Sequence, residues 1–109
     1  MAAFSGLLAA LVLAGCSRSE DVDRDPAAAR GHEVYKSVCL ACHAPDPADN
    51  GSLGPPIAGS SRELLEARVI HGDYPPGYTP KRSGKTMPAF PKLAGSIDDL
   101  TAYLAQASE

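Results

Sequence analysis

The chain of 109 residues has no tryptophan, two methionines, three cysteines and three histidines. Those shortages exclude a good deal. Cysteine stands only at Cys16, Cys39 and Cys42, so no second close pair is available to complete a zinc site or a disulfide framework. No hydrophobic run is long enough to cross a bilayer. The longest, Met1 to Ala14, is uncharged and almost wholly apolar, yet falls short of the roughly 20 residues a membrane-spanning helix needs. Lys and Arg are absent before Arg18, so the basic start usual in an export signal is missing, which is consistent with a start codon upstream. Charge is nearly balanced, with 10 Lys and Arg against 13 Asp and Glu and a formal net charge of −3, so there is no basic surplus for a nucleic-acid partner.

What is present is one short pattern with a definite chemistry, Cys39-Leu40-Ala41-Cys42-His43. Two thiols three residues apart can each form a thioether with a haem vinyl group, and the histidine next to the second places an imidazole at the iron. The rival readings are a zinc or redox Cys-x-x-Cys. The first lacks its second ligand pair, and the second lacks the strand-helix-strand setting of a thioredoxin-like protein.

The N-terminal run ends in Leu13-Ala14-Gly15-Cys16, which resembles the lipobox of bacterial lipoproteins, in which the cysteine is acylated and becomes the first mature residue. On that reading residues 1–15 are a signal peptide, Cys16 is the lipidation site, and 16–25 form a flexible tether. The alternatives are an ordinary signal peptide with a free cysteine nearby, or a buried apolar helix. Residues Ser17 to Asp25 hold one aliphatic side chain, too little apolar surface to offset the entropy of ordering them. Extended, they could reach on the order of 30 Å. The remaining residues, 26–109, make one small domain of a size that benefits from a cofactor at its centre.

Asp25-Pro26 is a helix start, with Asp as N-cap and Pro at the first helical position, and the helix is expected to run toward Val38. It places Gly31 and Tyr35 on one face, as if another helix crosses closely at the glycine, and leaves His32 toward solvent. A long Pro- and Gly-rich loop from Ala44 to Gly59 follows, in which a Pro segment could offer a backbone carbonyl to the His43 ring. A second helix is expected from Ser60 to Ile70, with Ser60 and Glu63 as a capping box and Gly72 beyond its end. The last helix starts at Ser96, with Asp99 as capping-box acid, and carries the stripe Leu100, Tyr103, Leu104, Ala107.

Met87 is the only methionine beyond Met1. A thioether is a soft, neutral iron ligand, and Pro88 biases Met87 toward an extended conformation that suits a side chain aimed into a pocket. Met87 as a plain core residue and His71 as a competing iron ligand are the alternatives.

Together these features resemble a small class I cytochrome c over about residues 26 to 107. The resemblance rests on Gly31 and Tyr35, Cys39-x-x-Cys42-His43, the Gly54-Pro55 loop, Met87-Pro88 and the aromatic final helix. It implies an all-α fold of about three to four helices around one covalently bound haem c. It further implies thioethers from Cys39 and Cys42, His43 and Met87 as axial ligands, the Pro55 carbonyl as partner of His43, and a crossing of first and last helices at Gly31, Tyr35 and Tyr103. The expected function is a membrane-tethered mono-haem carrier of single electrons on the periplasmic side of a bacterial membrane, not an enzyme. Its partners would be a redox donor and acceptor, with no nucleic acid and no small-molecule substrate. The alternatives are a permanent electron-transfer subunit of a dehydrogenase or reductase, and a gas-binding or sensing haem. Residues 73–92 hold Lys81, Arg82, Lys85 and Lys92 against the single acid Asp73, and Lys81, Arg82 and Lys85 are expected to border a docking face.

Overall fold

The computed structural model describes residues 25–83 and 87–108. The expected signal peptide, Cys16, nearly all of the tether, and Lys85 lie outside the described residues. Helix α1 (Pro26–Val38) starts as its sequence requires, with the Asp25 carboxylate accepting from the Ala27 N–H at 3.1 Å. Pro26 sits in the first turn, where its missing N–H costs no helical bond. The helix then tightens into a 3₁₀ turn, Cys39–Ala41, which carries the first cysteine.

Helix α2 (Arg62–Leu65) runs on as a π-helical turn, Glu66–Ile70, and ends at His71 before Gly72, whose φ is 67°. Its cap differs from expectation by one residue. Ser61, not Ser60, is the N-cap, its Oγ accepting from the Leu64 N–H at 3.1 Å. The Ser60 hydroxyl instead donates to the Ile57 carbonyl at 2.6 Å, so it closes the preceding loop. A serine can bond either backbone, and here the loop claims the first of the two.

A 3₁₀ turn, Pro91–Ser96, leads into helix α3 (Ile97–Ala107). The expected capping box is absent, since Ser96 makes no side-chain cap. Asp99 faces α1 instead and accepts from Arg30 Nε and Nη2, both at 3.1 Å. A forked, charge-assisted pair is stronger than a neutral cap bond, which explains the diversion.

α1 and α3 cross at Gly31. A Cβ there would overlap the Asp99 carbonyl and stand 2.9 Å from the Tyr103 Cβ, so only glycine permits the approach. His32, expected to face solvent, is half-buried and stacks on the Tyr103 ring with centroids 4.7 Å apart. The core is Ala28 and Tyr35 of α1, Leu65 and Val69 of the middle helix, and Ile97, Leu100, Tyr103 and Leu104 of α3. Each fully buried aliphatic side chain among these contributes about 1.5–3 kcal/mol. The described residues contain three α-helices and no strand, and no helix among them is long and apolar enough to cross a membrane.

The long loop after α1 is pinned at several points. The Leu53 and Gly54 N–H groups both donate to the Cys42 carbonyl, at 3.2 and 2.9 Å. Ile57 and Ala58 donate to the Pro47 carbonyl at 2.8 and 3.0 Å, and Gly59 donates to Leu104 of α3 at 2.8 Å. These bonds fold the loop back over the Cys-x-x-Cys-His segment and form one wall of the site.

Candidate functional site

A cavity of about 1150 Å³, counting its open mouth, lies between the helices and the two loops. Cys39, Cys42, His43 and Met87 all line it, together with Pro55 and the apolar side chains of Leu64, Leu65, Val69, Leu100 and Leu104. Residues scattered along the sequence from 39 to 87 are thus brought to one concave surface. His71 is exposed and does not line the cavity.

His43 is held tightly. Its Nδ1 lies 3.0 Å from the Pro55 carbonyl. A carbonyl can only accept, so Nδ1 carries the proton and Nε2 is left with a free lone pair. Burial pushes the His43 pKa down, against the opposing pull of the Pro55 hydrogen bond. The neutral ring is favoured, which is the form that binds a metal. Gly54 backs the ring so closely that a Cβ there would stand 2.5 Å from Nδ1.

Two thiols line the cavity. Both are free and half-buried, and burial pushes the Cys39 thiol up to about 11. Tyr35, at the cavity's inner wall, donates its hydroxyl to the Ala44 carbonyl at 2.5 Å and so fixes the peptide just past His43. Burial raises the Tyr35 pKa to about 12.

Charged side chains line the cavity as well. Lys81 Nζ donates to the Pro56 carbonyl at 2.7 Å and Arg82 Nη2 to Asn50 Oδ1 at 2.9 Å, so the basic loop rests on the Pro-rich one. Arg68, which the sequence pattern did not single out, is buried beside the cavity and donates to the carbonyls of Gly72 at 2.9 Å and Met87 at 3.3 Å. It lies in a helix that mixes charged and apolar residues, where the local pattern does not tell a buried cation from a solvated one.

The donor set suits a haem. An apolar slot is flanked by a thiol pair, a neutral imidazole with its tautomer set, and a thioether sulfur. Among the described residues no group of three or more His, Cys, Asp or Glu side chains is gathered to hold a metal ion by itself. A family model described as cytochrome c oxidase, cbb3-type, subunit III matches residues 26–104, which take in the cavity, its loops, α1 and most of α3. No curated protein and no solved structure matches the chain.

Proposed function

The chain belongs to the cbb3-type cytochrome c oxidase subunit III family, and from that premise we propose a mono-haem carrier of single electrons, tethered by lipid on Cys16 to the periplasmic side of a bacterial membrane. Haem, when bound, supplies an iron that changes oxidation state by one electron. Cys39 and Cys42 would hold it as thioethers, and His43 Nε2 and the Met87 sulfur would be the protein ligands to its iron. The Pro55 carbonyl, accepting from Nδ1 at 3.0 Å, orients the imidazole and fixes its tautomer, so that Nε2 is left as the ligating nitrogen. No residue acts as acid, base or nucleophile, and the protein is not an enzyme on this reading.

The observation that carries the proposal is the convergence of both cysteines, His43 and Met87 on one apolar cavity. A thioether ligand favours ferrous iron and raises the potential relative to a second histidine. The exposure of His71, away from the cavity, favours Met87 as the second ligand. The basic residues Lys81, Arg82 and Lys85 border the docking face, where charge steers a brief encounter with an acidic partner surface.

The test is an optical spectrum of protein matured with haem in the periplasm, in both redox states. The weak red-edge band of a methionine-sulfur to ferric-iron bond is expected, and its loss in Met87→Ala. A parent protein without that band, or one whose reduced haem takes up carbon monoxide readily, overturns the ligand assignment and favours the gas-binding reading. A membrane fraction that retains the Cys16→Ala protein overturns the lipid tether.

A second reading has one observation in its favour: the family's description names a subunit of an oxidase. The domain would then be a permanently bound electron-transfer subunit of a larger complex. Elution of the detergent-extracted protein as a monomer speaks for the free carrier, and co-elution with a larger redox assembly for the subunit.

A further inference from the structure

Arg68 is a buried cation, 8 % exposed, that meets no carboxylate among the described residues. Burying a charge in this way is costly unless hydrogen bonds offset the loss of water. Its partners here are two backbone carbonyls far apart in sequence. Nη1 donates to Gly72, just past the middle helix, at 2.9 Å, and Nη2 donates to Met87 at 3.3 Å. The guanidinium plane also lies over the Tyr74 ring, 4.7 Å from its centroid.

The local backbone is arranged around this contact. Arg68 stands in the π-helical turn Glu66–Ile70, a form that commonly marks functional positions. The neighbouring Val69 carbonyl accepts from the Phe90 N–H at 2.5 Å, so a second tie joins the same turn to the chain just beyond Met87. The Asp73 N–H donates back to Ala67 at 2.9 Å. One side chain therefore reaches from the middle helix to the peptide of the cavity's methionine.

We propose that Arg68 is a positioning residue for the sixth coordination site: its guanidinium clasps the Met87 carbonyl to the Gly72 carbonyl and so keeps the Met87 sulfur at the iron. The proposal rests on Met87 being the axial ligand. A planar fork can hold two carbonyls at once, whereas a lysine ammonium at the end of a thinner stem lacks that fixed geometry. Losing a charge-assisted hydrogen bond of this kind raises the fraction of haem with Met87 detached by on the order of ten- to a hundredfold.

The experiment uses full-length holoprotein as the parent, Arg68→Lys and Arg68→Leu, with imidazole as the probe of an open sixth position. The ferric methionine band and the apparent imidazole affinity are measured per haem, next to the melting temperature. The expected result is a weakened band and imidazole binding tighter by on the order of ten- to a hundredfold in Arg68→Leu, with Arg68→Lys between it and the parent. If Arg68→Leu does not yield folded holoprotein, Arg68→Lys alone decides. Variants that keep the parent's band and imidazole affinity while only melting earlier overturn the clasp and leave Met87 ligation standing. A parent without the band overturns Met87 ligation, and the clasp with it.

Discussion

The His43 ring lies against the Gly54 backbone, so close that a Cβ at Gly54 would stand 2.5 Å from Nδ1 and 2.8 Å from Nε2. Glycine is thus required at this position by its neighbour and not by its own backbone angles. Gly54→Ala is expected to push the ring off the Pro55 carbonyl, at an overpacking cost of about 1–3 kcal/mol. The measurement is the yield of correctly matured haem protein and its spectrum. A variant with the parent's spectrum and stability would show that the ring has room to move.

At the helix crossing the competing effects have opposite signs. Alanine gains about 1 kcal/mol over glycine in helix propensity, but at Gly31 its Cβ would overlap the Asp99 carbonyl, part of a backbone that cannot turn aside. Overpacking wins, and Gly31→Ala is expected to lower thermal stability. Gly95→Ala is the control: nothing lies within 4 Å of its Cβ, so it should leave the melting temperature nearly unchanged or raise it slightly.

Tyr35 ties stability to alkaline pH. Burial raises its pKa to about 12, while the unfolded tyrosine titrates near 10. The folded state holds the proton more tightly, so this contribution is fully present below about pH 10 and is lost as the pH rises toward 12. Tyr35→Phe removes the bond to Ala44 and is expected to cost about 1 kcal/mol at neutral pH. It should also flatten the fall in melting temperature across that alkaline window. An unchanged alkaline profile would assign the fall to another group.

Charge reversal at Lys81, Arg82 and Lys85 tests the docking face. Electron transfer to an acidic partner is expected to slow at low salt, and the difference from the parent should shrink as salt shortens the screening length to about 8–10 Å. Because Lys81 and Arg82 also tie the basic loop to Pro56 and Asn50, Lys81→Gln and Arg82→Gln separate lost charge from lost contacts. Equal rates and equal salt dependence in all variants would remove this face from consideration.

Features that depend only on neighbours along the chain are legible in the sequence. Asp25-Pro26 starts α1 because the cap and the proline act within one turn. The stripe Leu100, Tyr103, Leu104 becomes buried because helical spacing alone puts those residues on one face. The bend at Gly72 after the middle helix is local in the same way.

Other features depend on which groups folding brings together. Ser60 and Ser61 are equivalent as local caps, and the nearby Ile57 carbonyl decides between them. Asp99 leaves its own helix end for Arg30, far away in sequence but adjacent across the crossing. His32 lies beside Gly31, and close approach at that glycine presents it with the Tyr103 ring. Nothing along the chain marks Arg68, and its burial and its two carbonyl partners are set only when the chain around Gly72 and Met87 folds beside it. Caps, periodicity and ligand spacing are short-range properties encoded along the chain, whereas the choice among competing hydrogen-bond partners is made in three dimensions, where distant groups offer bonds stronger than the local ones.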